Sequence, residues 1–196
     1  EALKLLFRLD DGKLIEAVLI NTPNRRTICL SSQVGCAYGC RFCATAGMGP
    51  GRNLDCREML GQLLAVRREM SQGELGGSHN VVFMGMGEPL HNLDNVIEAL
   101  EILYLDDGCG FGARRVTLST SGLVPQMFEL AKRIKVGLAV SLNATTDELR
   151  DQLMPINKKY PLAELMRACK EIPLEPRQRI TFEYILIGGI NDTRTD

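Results

Sequence analysis

Five short runs of apolar and β-branched residues, at 27–31, 80–86, 115–119, 136–142 and 179–187, constrain the fold of this chain more than any other feature. Each is nearly continuous in apolar character, as a strand covered on both faces must be. The stretches between them have helical period. Residues 56–70 place Met59, Leu63, Val66 and Met70 on one face, and Asp55 with Glu58 has the form of a capping box at its start. Residues 95–105 repeat Val96, Ile97, Leu100 and Leu103 at the same spacing, and Thr145 with Glu148 is expected to cap a third helix. Strand and helix in alternation require crossover connections, so the sequence predicts an α/β fold with a parallel sheet.

Ahead of the first run, apolar residues from Leu3 to Ile20 flank the turn "DDGK" at 10–13, the pattern of a tight β-hairpin. "TPNRR" then breaks the run, which divides the chain into a hairpin extension, residues 1–24, and a core, residues 25–196. At 196 residues and 45% hydrophobic, one substantial core is the expectation. The last strand runs into "GGINDTRTD" without a following helix, so the βα series is expected to be truncated at its C-terminus. Lys+Arg 23 against Asp+Glu 24 leaves a net charge of -1, so the totals do not call for a nucleic-acid or membrane partner. No signal-peptide pattern and no apolar run near the roughly 18 residues of a membrane helix are present, which reads as a cytoplasmic segment with no membrane partner.

Seven cysteines are an odd number, and four of them crowd into "CLSSQVGCAYGCRFC". Cys36, Cys40 and Cys43 are spaced C-x3-C-x2-C in the loop after the first core strand, with Cys29 seven residues upstream. Loops at the carboxyl ends of parallel strands are where such architectures bind ligands. Clustered cysteines in a reducing compartment favour metal binding or catalysis, and three thiolates on a metal centre leave a position open for chemistry. A closed zinc site with Cys29 as fourth ligand is the competing reading, although zinc sites are usually built from two separated pairs.

With Phe42 before its last cysteine, the triplet resembles that of the radical S-adenosylmethionine superfamily, and "GMGEP" at 85–89 resembles the superfamily's glycine-rich motif after the second strand. "SSQVGC", "RRVTLSTSG", "SLNATTDELR" and "MPINKKYPL" narrow the resemblance to the RlmN-type RNA methyltransferases over residues 14–192. It implies a partial (β/α)6 barrel with the hairpin as an N-terminal extension, and a 4Fe-4S cluster held by Cys36, Cys40 and Cys43. S-adenosylmethionine would chelate the fourth iron and contact Gly87, Glu88, Ser119, Ser141, Leu142 and Asn143.

The implied reaction methylates C2 of an adenosine in 23S rRNA and tRNA through a methyl-cysteine, fed by a flavodoxin-like electron donor, in an enzyme that is a monomer. Cys29 matches the thiol that resolves the covalent enzyme–RNA adduct by forming a disulfide, and Glu16 the group that accepts the proton from the base. The segment contains no match to the methyl-carrying cysteine, so it is expected not to complete turnover alone. Two other readings stay open: a Cfr-like enzyme acting on C8, whose usual motif has alanine where Pro89 stands, and a zinc-stabilised RNA-binding module without catalysis. Cys56, Cys109 and Cys169 read as packing residues, and His79 and His91 as isolated.

Overall fold

The computed structural model describes residues 1–70, 79–175 and 178–195. The "DDGK" turn folds Ala2–Arg8 (β1) onto Leu14–Thr22 (β2), with Leu6 opposite Glu16. Gly12 takes a φ of 80° in that turn, a left-handed conformation that costs glycine nothing. Along β2, Ile15, Ala17 and Leu19 are buried while Glu16, Val18 and Ile20 are not, the period of two that turns one face of a strand to the core. β2 then pairs antiparallel with Arg25–Cys29 (β3), Val18 standing opposite Cys29.

From β3 onward the sheet is parallel. His79–Phe83 (β4), Val116–Thr120 (β5), Gly137–Ser141 (β6) and Ile180–Glu183 (β7) follow in spatial order, so the seven strands lie in the order in which they occur along the chain. β1 and β7 are the two edges, and the sheet is open. The parallel strands begin one or two residues from the apolar runs that announced them, β4 ends three residues before its run does, and β7 is only Ile180–Glu183 because residues 184–191 turn away under side-chain bonds described below. Cys29, Val82, Thr117 and Gly137 form one row across β3 to β6.

The helices are Cys56–Glu69 (α1), Leu93–Tyr104 (α2), Val124–Arg133 (α3), Asp147–Leu153 (α4) and Leu162–Glu171 (α5). At α1 the expected capping box is complete: Asp55 accepts from the Glu58 N–H, and the Glu58 carboxylate accepts from the Asp55 N–H. Met59, Leu63 and Val66 are fully buried from its inner face, each worth about 2 kcal/mol on transfer from water. The cap of α4 is Thr146, not Thr145, because its hydroxyl reaches the Leu149 N–H one residue on. α2 and α3 continue the same layer, so the parallel strands are covered by a continuous apolar core that also takes in Ile15, Ala17 and Leu19 of the hairpin. Among the described residues no helix is long and apolar enough to cross a membrane.

Candidate active site

The carboxyl ends of β4 to β7 and the loop after β3 surround a cavity of about 290 Å³. Cys36, Cys40, Cys43, Gly87, Glu88, Ser119, Ser141 and Asn143 all line it, so residues up to 107 positions apart in sequence meet on one wall. A larger cavity, about 410 Å³, lies at the amino end of β6 among Tyr104, Met127, Lys135 and Gln178, and contains no cysteine. The chemistry-bearing residues therefore choose the smaller cavity.

The cysteine loop is pinched at its neck. Val34 donates its N–H to the Arg52 carbonyl at 2.9 Å, Cys36 donates to that of Gly49 at 3.0 Å, and Gln33 bridges Asn53. A Cβ on Gly51 would stand 1.6 Å from the Val34 carbonyl oxygen, and one on Gly35, whose φ is 106°, would stand 2.5 Å from that of Gly49. The far side of the loop is tied to α4 through the Arg41 N–H, which reaches the Leu153 carbonyl at 2.9 Å. His91 is not isolated: its ring meets Tyr38 edge-on at 5.6 Å and its Nδ1 lies 3.2 Å from Gln33 Nε2, propping the loop from the β4 side.

Gly85 and Gly87 are small for the sake of neighbouring protein. A Cβ at Gly87 would meet the Gln33 side chain at 2.5 Å, and one at Gly85 would meet Ser31 Oγ at 2.7 Å. The loop after β3 and the loop after β4 thus interlock, with Ser32 N–H on the Met86 carbonyl and Glu88 N–H on Gln33 Oε1. The Ser31 hydroxyl completes the junction, accepting from the Met86 N–H and donating to the Glu16 carbonyl.

Glu88 lines the cavity, but its carboxylate is spent inside the protein. One oxygen accepts from the Leu90 N–H and the other from both the N–H and hydroxyl of Ser121. Burial drives its carboxyl above the ordinary range, and those hydrogen bonds oppose the shift. Ser119 and Ser141 both donate to one oxygen of Glu183, so a single carboxylate joins the ends of β5, β6 and β7. Sequence reasoning missed Glu183; the signal was a lone acid inside the apolar run "TFEYILI".

Asn143 is held at a φ of 57°, an asparagine-tolerated left-handed turn, and its Oδ1 accepts from the Ile185 N–H while Asn191 donates to its carbonyl. That pair of asparagines carries the chain off β7. Leu142 does not line the cavity; its backbone is taken up by the Glu183 carbonyl and by Arg150.

Besides Leu142, two more expected residues stand apart from the cavity lining. Glu16 forms an ion pair with Lys4 at 2.9 Å and leaves 42% of its side chain exposed. Cys29 is half-buried on β3, and burial, with a contribution from the charge of Glu183, pushes its thiol up to about 11. Burial likewise raises Cys36, and carries Cys40 up to about 12. Cys56 is in the core, and Cys109 and Cys169 pack against it, as expected of incidental thiols.

Among the described residues no three His, Cys, Asp or Glu side chains converge as ligands clasping one metal ion do. Cys36, Cys40 and Cys43 are free thiols that share one cavity lining, a donor set whose chemistry would suit an iron–sulfur cluster.

Residues 30–195 match the radical SAM superfamily. The chain is 56% identical over 193 residues to the dual-specificity RNA methyltransferase RlmN of Geobacter sulfurreducens, covering 98% of this chain and 52% of that protein. It is also 56% identical over 194 residues to RlmN of Syntrophotalea carbinolica, with coverage of 98% and 51%. The chain thus spans about half the length of the curated relatives it matches. A crystal structure of a radical SAM methyltransferase from Sphaerobacter thermophilus superposes with a TM-score of 0.93 at 49% identity, covering all of this chain and 57% of that one. A structure of TYW1 with a lysine–pyruvate adduct shares the fold at a TM-score of 0.57 and 17% identity, over 88% of this chain and 59% of that one.

Proposed function

The chain belongs to the radical SAM superfamily, and from that premise we propose that it is the catalytic core of an RlmN-type RNA methyltransferase acting on C2 of an adenosine in 23S rRNA and tRNA. The observation that carries this reading is the convergence of three cysteines and the strand-end residues Gly87, Glu88, Ser119, Ser141 and Asn143 on one cavity. Bound there, a 4Fe-4S cluster supplies the electron that cleaves the sulfonium of S-adenosylmethionine.

The chain's own residues hold and orient. Cys36, Cys40 and Cys43 supply three thiolates, and the pinched neck at Gly35, Gly49 and Gly51 keeps them on the cavity wall. Gly87 and Glu88 fix the β4 exit against Gln33, so the cofactor's amino-acid end meets a preformed edge. Ser119 and Ser141 present hydroxyls at the next two strand ends, steadied by Glu183. Leu142 takes part through its backbone, which sets the turn at Asn143. Cys29, on β3, serves as the thiol that resolves the enzyme–RNA adduct, and Glu16, on β2, as the acceptor of the proton from the base. Residues 1–24 act as an extension of the core, residues 25–196, and the electron comes from a flavodoxin-like donor.

Anaerobic reconstitution with iron and sulfide tests the reading. The expected product is brown, with about four irons per chain, and Cys36→Ala, Cys40→Ala or Cys43→Ala abolishes it. A colourless protein retaining one tightly bound zinc supports the RNA-binding module instead. In the full-length enzyme, mass spectrometry of the RNA product separates C2 from C8 methyladenosine, and C8 methylation favours the Cfr-like reaction.

A further inference from the structure

Arg150 is the largest fully buried side chain of the described residues, 1% exposed. Every hydrogen-bond acceptor around it is neutral. Its Nε donates to the Leu142 carbonyl at 3.0 Å, Nη2 to those of Ser121 at 2.8 Å and Ser141 at 3.0 Å, and Nη1 to Asn157 Oδ1 at 3.0 Å. A buried charge normally sits against an opposite one, because desolvation is otherwise uncompensated. Arginine cannot escape by losing its proton, so the fold retains a fixed positive charge here.

As a thiolate, Cys40 would act on Arg150 ahead of Asp147 and Asp151, while Cys36, Cys43 and Glu88 each weigh more on Cys40 than Arg150 does. The two acids act from further out, each accepting from Nδ2 of the Asn157 that holds Nη1. α4, which carries Arg150, also anchors the cysteine loop through the Leu153 carbonyl, and Gly39 rests 3.9 Å from Pro155 by its missing Cβ. Ser121 and Ser141, whose carbonyls Arg150 gathers, line the same cavity as the three thiols. The guanidinium therefore lies behind the cavity wall, locked by four bonds and excluded from water.

We infer that Arg150 is a positioning residue that holds a permanent positive charge behind the Cys40 ligand and so makes the cluster easier to reduce. The inference rests on the reading of Cys40 as a cluster ligand. Three thiolates give the bound cluster a net negative charge, and uptake of one electron from a low-potential donor adds another. A fixed cation in a poorly screened setting favours the more negative state. Asn157, Asp147 and Asp151 then form the outer part of one device, which orients the guanidinium and moderates its charge.

The test is an anaerobic redox titration of the reconstituted protein with dithionite, followed by the electron paramagnetic resonance signal of the reduced cluster. Arg150→Met, close in length and uncharged, is expected to bind the parent's iron but to show a more negative midpoint. At the parent's midpoint its reduced-to-oxidised ratio is expected to fall roughly tenfold. Arg150→Lys keeps the charge and is expected to stay nearer to the parent than to Arg150→Met. Asp151→Asn, which removes a negative charge without opening the core, is expected to move the midpoint the other way by less. A loaded Arg150→Met with the parent's midpoint, or Arg150→Lys shifted as far as Arg150→Met, overturns the inference. If Arg150→Met does not fold, an unshifted or more negative midpoint in Asp151→Asn overturns it. A parent protein that takes up no iron overturns the cluster reading and this inference together, whereas a loaded parent with unshifted variants overturns the inference alone.

Discussion

The cysteine loop and the N-terminal hairpin both carry residues expected to act in one reaction, yet they are held by different physics. The loop between Gln33 and Asn53 is fixed by backbone bonds at its neck, close contacts at Gly35 and Gly51, and a tie to α4. The hairpin is fixed by strand register and one row of buried side chains, and its outer strand leaves Leu3 and Leu6 exposed. Glu16 on it makes only a solvated ion pair. Residues in the loop converge on a cavity through a neck that has no room for a side chain at Gly35 or Gly51, whereas Glu16 on the hairpin keeps an exposed side chain. The loop is held rigidly from several sides, and the hairpin from one.

The sharpest way to break this contrast is Gly51→Ala. The added carbon has no room beside the Val34 carbonyl, so the neck must open and spread the three thiols. Iron content after reconstitution is expected to fall to background. Full loading of the variant would show that the neck does not position the cysteines.

A smaller effect is expected at α1, where the cap lies beside the neck. Asp55→Ala removes the bond to the Glu58 N–H and is expected to cost about 1 kcal/mol in denaturant unfolding. The same box gives stability a pH dependence. The Glu58 N–H holds the Asp55 carboxyl below its ordinary range, and Arg52 does the same for Glu58. Carboxyls lowered in the fold bind protons more weakly than in the unfolded chain, so their contribution is present above about pH 4.5 and drains away as the pH falls further. Unfolding midpoints measured from pH 6 down to pH 3 are expected to fall less steeply in Asp55→Ala than in the parent.

Cys29 stands on β3, between the hairpin and the loop. With its thiol pushed up to about 11, it is protonated at pH 7.5 and expected to react with iodoacetamide at least tenfold more slowly than an unshifted cysteine. Cys29→Ala is expected to keep the parent's iron content, and in the full-length enzyme to accumulate RNA bound covalently to protein. Loss of iron in this variant would make Cys29 a ligand and return it to the loop's side of the comparison. The smallest effect belongs to Glu16→Gln, which is expected to change stability by less than about 0.5 kcal/mol because only an exposed ion pair with Lys4 is lost. Full-length enzyme with that change is expected to load its cluster and fail at proton removal; unchanged turnover would end the role assigned to Glu16.

Much of the fold was legible because it depends on local patterns. Apolar runs located all five parallel strands, the period of α1 and α2 placed their buried faces, and "DDGK" placed the hairpin turn. Strand ends were read less well: the run at 179–187 continued past Glu183, where the Asn143 and Asn191 side chains draw the backbone out of the sheet. No apolar pattern reports such a departure, since Ile185 and Ile187 remain apolar outside the strand. In the candidate site, the cysteine triplet and "GMGEP" stood out by spacing and composition. Glu183 and Arg150 did not, because each draws its significance from neighbours on other elements: Ser119 and Ser141 for the one, Ser121, Leu142 and Asn157 for the other.

The sequence by itself determined the α/β alternation, the hairpin and the clustering of three thiols within eight residues, because periodicity and short spacing act through the local chain. Tertiary structure alone decided that Gly87 makes room for Gln33, that Glu88 is consumed by Ser121 and Leu90, and that a buried guanidinium gathers the carbonyls of Ser121 and Ser141 behind the cavity. Those outcomes depend on desolvation and on contacts between residues far apart in the chain, and neither quantity exists until the strand ends have been brought together.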